Sequence, residues 1–148
     1  MKNTVVINAL GYAGLIPFLA AAAAVTMDMS IGPLDAGEVF LTYSAIILSF
    51  LGGALWGKAR ELLESSLSIS LLLLSNLFAL SAWAVLLLGE SWLIPGLLIS
   101  MTGFSALYLV ERITADRLLA EVGPVYLQFR WTLTVVVCAA HLVVMIAV

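Results

Sequence analysis

The chain has 148 residues, of which 64% are hydrophobic and 10% charged, and its net charge is −3. A soluble domain carries roughly 25% charged and about 45–50% apolar residues, so a soluble fold of this size could not cover its apolar surface, and the acidic balance gives no footing for nucleic acid. Crossing about 30 Å of hydrocarbon takes about 20 apolar residues at about 1.5 Å rise each, so five spans and short loops use the whole length as one transmembrane domain, 1–148.

The first charge-free window, Asn3–Met27, predicts a span over about 5–26. Lys2, the apolar run and the alanines at 20–24 also fit a cleaved signal peptide loosely, but the run is longer than a usual signal core, so a retained span is the reading adopted. Within it lies Gly11-Tyr12-Ala13-Gly14-Leu15-Ile16-Pro17-Phe18. Pro17 cannot donate to the Ala13 carbonyl, which predicts a kink and a role in helix packing. Asp28, Gly32, Pro33 and Asp35 then mark a turn region.

The second span is predicted over about 38–57 and carries Ser49-Phe50-Leu51-Gly52-Gly53-Ala54-Leu55-Trp56-Gly57. Ser49, Gly53 and Gly57 recur every four residues and share a helix face, and with Gly52 they form the candidate helix-packing set. Small residues let backbones approach where lipid removes the hydrophobic drive between helices. Packing within the bundle is the plainer expectation, a seam with another chain the sharper one. Gly53→Leu is accordingly expected to force helices apart. This span should be central to the bundle.

A charged connector, Lys58–Glu64, leads to a third span over about 66–88, in which Asn76 reads as interhelical glue. Gly89-Glu90-Ser91 is a tight turn that makes the third and fourth spans antiparallel neighbours. The fourth span runs over about 92–111, with Glu111–Glu121 as a charged helical extension, Gly123 just past a helix end and Pro124 in the first turn of the next helix.

The fifth span, about 125–147, opens on Tyr126-Leu127-Gln128-Phe129-Arg130-Trp131-Thr132-Leu133-Thr134. Tyr126, Arg130 and Thr134 lie four apart on one face. Arg130 either snorkels to the interface or is fixed inside the bundle. In the second case Glu111, Glu61 or Glu64 could pair with it. Trp56, Tyr108, Glu111, Tyr126 and Arg130 at similar depth form the candidate binding site. His141 is the only histidine and reads as a bundle-facing hydrogen-bonding residue, since metal sites normally need three or four ligands. Cys138 can form no intrachain disulfide.

With five spans all six basic residues, Lys2, Lys58, Arg60, Arg112, Arg117 and Arg130, fall on one side. The positive-inside rule then gives a cytoplasmic N-terminus and an external C-terminus. Continuously apolar segments argue against a β-barrel. No H-E-x-x-H, G-x-S-x-G, Walker loop or haem or iron–sulfur cysteine set occurs, and no acidic residue sits at mid-span. No catalytic residue, metal or cofactor is therefore expected.

G-Y-A-G-L-I-P-F, Y-S-A-I-I-L-S-F-L-G-G-A-L-W-G and Y-L-Q-F-R-W-T-L-T, in this order and spacing, resemble the family called domain of unknown function 3429, which includes transmembrane protein 69 of eukaryotes. The resemblance covers about Ala9 to Ala140. It implies a multi-pass protein of a bacterial inner membrane, or of mitochondria in eukaryotes, and carries Gly14, Pro17, Phe18, Tyr43, Ser49, Gly52, Gly53, Trp56, Gly57, Tyr126, Arg130 and Thr134 as motif residues without roles.

The expectation is an all-α membrane protein, a five-helix bundle acting as a non-enzymatic scaffold or assembly partner. It would bind lipid, another membrane protein or itself through the glycine stripe and the Arg130 region. The alternative is a small transporter or channel with a polar path lined by Pro17, Tyr43, Asn76 and His141.

Overall fold

Helices cross the bilayer because a spanning segment must satisfy its own backbone hydrogen bonds. The computed structural model describes residues 2–62, 66–88, 92–118 and 123–148. Span one is two helices, α1 (Lys2–Ala13) and α2 (Leu15–Thr26). A small hairpin, β1 (Ser30–Ile31) and β2 (Leu34–Asp35), leads to α3 (Ala36–Arg60). Then come α4 (Ser66–Leu88), α5 (Leu93–Ile113), the single turn α6 (Ala115–Leu118) and α7 (Gly123–Ala147). Five helices are long and apolar enough to cross a membrane: Val5–Thr26, Ala36–Arg60, Ser66–Leu87, Leu93–Ile113 and Val125–Ala147.

The join in span one falls at Gly14, three residues before Pro17. Gly14 still donates to the Leu10 carbonyl at 2.9 Å, and its own carbonyl accepts from the Tyr43 hydroxyl of α3 at 3.0 Å. A neighbouring helix thus ties down the join by its Gly14 carbonyl, one residue after the Ala13 carbonyl to which Pro17 cannot donate. Pro17 itself is exposed, so it shapes span one without packing against another helix, contrary to the packing role expected of it.

Residues 30–35 form a two-residue hairpin, where the sequence suggested only a turn. Gly32 takes φ +65°, which a hairpin with glycine first in its turn requires. Asp35 then caps α3, its carboxylate accepting from the Gly37 amide at 2.7 Å.

Span two is central, as expected: α3 packs against α2, α4 and α5, while α7 closes the ring between α2 and α5. The tightest pair is α3 with α4, and its origin is a repeat of small residues. Ala45, Gly52 and Ala59 recur every seven residues on α3, and Ser68, Ser75 and Ala82 do so on α4; all six are buried. Ser68 Oγ donates to the Ala59 carbonyl at 2.8 Å. A Cβ on Gly52 would lie 3.0 Å from the Ser75 carbonyl oxygen and 3.3 Å from Phe78 Cβ. Seven-residue spacing keeps one seam facing the partner in a left-handed antiparallel crossing. On α5, Gly96 and Gly103 do the same for side chains: a Cβ would meet Leu41 at 2.9 Å and Leu48 at 2.7 Å.

This register corrects the helix-packing set. Of Ser49, Gly52, Gly53 and Gly57, only Gly52 packs inside the bundle. Ser49, Gly53 and Gly57 are exposed, and nothing lies within 4 Å of a Cβ built on Gly53 or Gly57. One helical residue is a rotation of about 100°, enough to move the stripe from seam to lipid. Asn76 is also exposed and donates to the Leu72 carbonyl of its own helix at 2.9 Å, so it is not interhelical glue. The charged extension of the fourth span breaks at Thr114, whose hydroxyl donates to the Val110 carbonyl at 2.6 Å. The turn at residues 89–91 lies outside the described residues.

Candidate binding groove

Arg130 is buried near the start of α7 and the carboxylate it requires comes from Glu111, near the end of α5. Arg130 Nε donates to Glu111 Oε2 at 2.7 Å, and the side chains are 7% and 8% exposed. A guanidinium held this deep must be paired, because an isolated buried charge costs several kcal/mol. Lys58 of α3 brings its ammonium to 3.9 Å from Glu111 Oε1 and lies 5.0 Å from the centre of the Tyr126 ring. Two cations therefore share one buried carboxylate. Glu61, the other described candidate, is exposed.

The five expected site residues divide. Glu111, Arg130 and Tyr126 come together. Tyr108 is buried beside them but turns to the other side of α7, where its ring lies 5.3 Å from that of Trp131 and its hydroxyl accepts from Arg112 at 3.5 Å. Trp56 does not join. It is 43% exposed and carries the Arg60 guanidinium 5.1 Å from its ring centre, as an interfacial anchor does. Sequence reasoning missed Lys58. The available signal was that a basic residue at the end of α3 shares its membrane depth with Glu111.

Beside the ion pair opens a groove of about 400 Å³ between span one, α3 and α7, within the range of ligand sites. Arg130 and Tyr126 stand at one end. Leu10, Ile47, Leu51, Leu133 and Val137 make apolar walls, and Phe18 and Phe104 close the far end. Gly11 lets α1 sit close to α7: the Phe129 ring occupies the place of its missing Cβ. The aromatic end belongs to a larger cluster. Phe18, Phe40 and Phe104 surround His141, with ring centres 6.0, 4.8 and 5.7 Å from the imidazole. His141 is fully buried, and its Nδ1–H donates to the Val137 carbonyl at 2.8 Å.

The polar path drawn through Pro17, Tyr43, Asn76 and His141 is not formed. Pro17 and Asn76 are exposed on the outside of the bundle, Tyr43 is spent on Gly14, and His141 is sealed by the phenylalanines. Among the described residues no three of His, Cys, Asp or Glu come together as metal ligands would.

These features define a multi-pass helical membrane protein with an apolar groove that ends beside two cations sharing one buried carboxylate. The chain belongs to the DUF3429 family, described as a protein of unknown function, whose profile matches residues 4–146. No curated protein and no solved structure matches it.

Proposed function

We propose that this is a non-enzymatic membrane protein that holds one anionic amphipathic lipid in the groove between span one, α3 and α7. The observation carrying this reading is the join of an apolar cleft to a cluster in which two cations share one buried carboxylate. A chain lying along Leu133 and Val137 meets apolar side chains and Thr134, while an anionic head at the other end meets Arg130 and Tyr126, with the Lys58 ammonium 5.0 Å from the Tyr126 ring centre. With the basic residues on the cytoplasmic side, as the positive-inside rule has it, the head would lie in the inner leaflet. A protein built this way would serve as a lipid-dependent assembly partner.

Native mass spectrometry after mild detergent extraction tests it. The wild type should retain one lipid with an anionic head. Leu133→Trp, which fills the groove, should lose it. Leu77→Trp, on the exposed face of α4, should keep it. Equal retention by the two variants, or no retained lipid in the wild type, would remove this function.

A further inference from the structure

Two buried side-chain polar atoms among the described residues have no hydrogen-bond partner: Ser100 Oγ and His141 Nε2. Both residues are fully buried. Burying a polar group without a partner is costly, so each such group in a core asks what completes it. The chemistry of the vacancy is specific. A carbonyl oxygen only accepts, so the bond from Nδ1 to Val137 fixes the proton on Nδ1 and leaves Nε2 with its lone pair. Nε2 therefore needs a donor. The Ser100 hydroxyl can give or accept a proton.

Their depths match. Glu111 pairs with Arg130, and Ser105 Oγ lies 3.4 Å from Cys138 Sγ. This antiparallel register sets residue 100 level with residues 141 to 143. Phe104, one turn from Ser100 on the same face of α5, packs on the His141 ring. The rings of Phe18 and Phe104 are shared: one side of them ends the groove, and the other covers His141. Phe18 and Phe104 thus stand between the groove and the His141 ring, and Ser100 lies one helical turn from Phe104.

We infer that His141 and Ser100 form the inner end of the groove and bind a hydroxyl on the chain of its lipid. This rests on the lipid-binding reading above. A hydroxyl fits both partners at once, donating to Nε2 and accepting from Ser100. A carbonyl would leave Nε2 unmet, and a plain alkyl chain would leave both. Entry needs the Phe18 or Phe104 ring to turn aside. Arg130 and His141 are eleven residues apart on one helix, about 16 Å along its axis. The ligand is accordingly an anionic lipid with its hydroxyl well down the chain, as in a mid-chain hydroxy fatty acid.

The test compares a mid-chain hydroxy-octadecanoate with octadecanoate on the full-length protein in detergent. Two buried hydrogen bonds, each worth about threefold in affinity, predict about tenfold tighter binding of the hydroxy acid. Ser100→Ala and His141→Phe, each removing one of the two partners, should each lower that ratio to about threefold. Because His141 is the only histidine, its ring ¹⁵N signals report this site alone. The Nε2 resonance should move with the hydroxy acid and stay with octadecanoate. Equal affinities with an unmoved Nε2 signal would overturn this inference and leave the lipid groove standing. Failure of both acids to bind would overturn the groove reading and this inference together.

Discussion

Glu111→Leu should destabilise the protein by about 3–5 kcal/mol, because it strands the Arg130 guanidinium in the bundle without a counter-charge. Arg130→Met should cost less. It leaves Glu111 with Lys58, whose ammonium is already 3.9 Å away. The double variant Glu111→Leu/Arg130→Met should recover most of the loss, since an apolar pair of similar volume often matches a buried ion pair in stability. Thermal unfolding of the four proteins in one detergent gives the cycle. Equal single losses that simply add in the double variant would mean the two side chains are not coupled.

Gly52→Leu should separate α3 from α4, and its neighbour Gly53→Leu should not. A side chain on Gly52 would run into the Ser75 carbonyl and Phe78, and backbone cannot give way as a flexible side chain can. Overpacking of this kind costs about 1–3 kcal/mol or more. Around Gly53 there is open space, so leucine there should stay within about 0.5 kcal/mol. This reverses what the four-residue stripe suggested. Light scattering and unfolding of both variants decide it. A folded Gly53→Leu protein that loses self-association would make the stripe a seam between copies, and equal damage from both would contradict the orientation of α3.

Five spans were legible in the sequence because lipid imposes one rule on every crossing: about 20 uncharged residues, bounded by charges or turn formers. Helix rotation was not, because lipid-facing and buried positions are both apolar and the face contrast that guides soluble helices is missing. Ser49, Gly53 and Gly57 drew attention as a run of small residues, yet the packed seam is Ala45, Gly52 and Ala59. The heptad match between these and Ser68, Ser75 and Ala82 was the signal that could have found it. Glu111 was legible only as one of three acids that could pair with a buried Arg130, because depth alone does not choose between it, Glu61 and Glu64. Trp56 shares that depth, but depth does not fix rotation, and it turns to lipid. The enclosure of His141 was not readable at all: Phe18, Phe40 and Phe104 come from three spans, and only the tertiary register brings them together.

Photo-crosslinking tests the lipid-bearing groove most directly. A fatty acid with a mid-chain diazirine, irradiated in vesicles containing the protein, should label the groove walls at Leu133 and Val137 well above the outward face of α4 at Leu73, Leu77 and Leu80. Label spread evenly over both surfaces would contradict a lipid held in that groove.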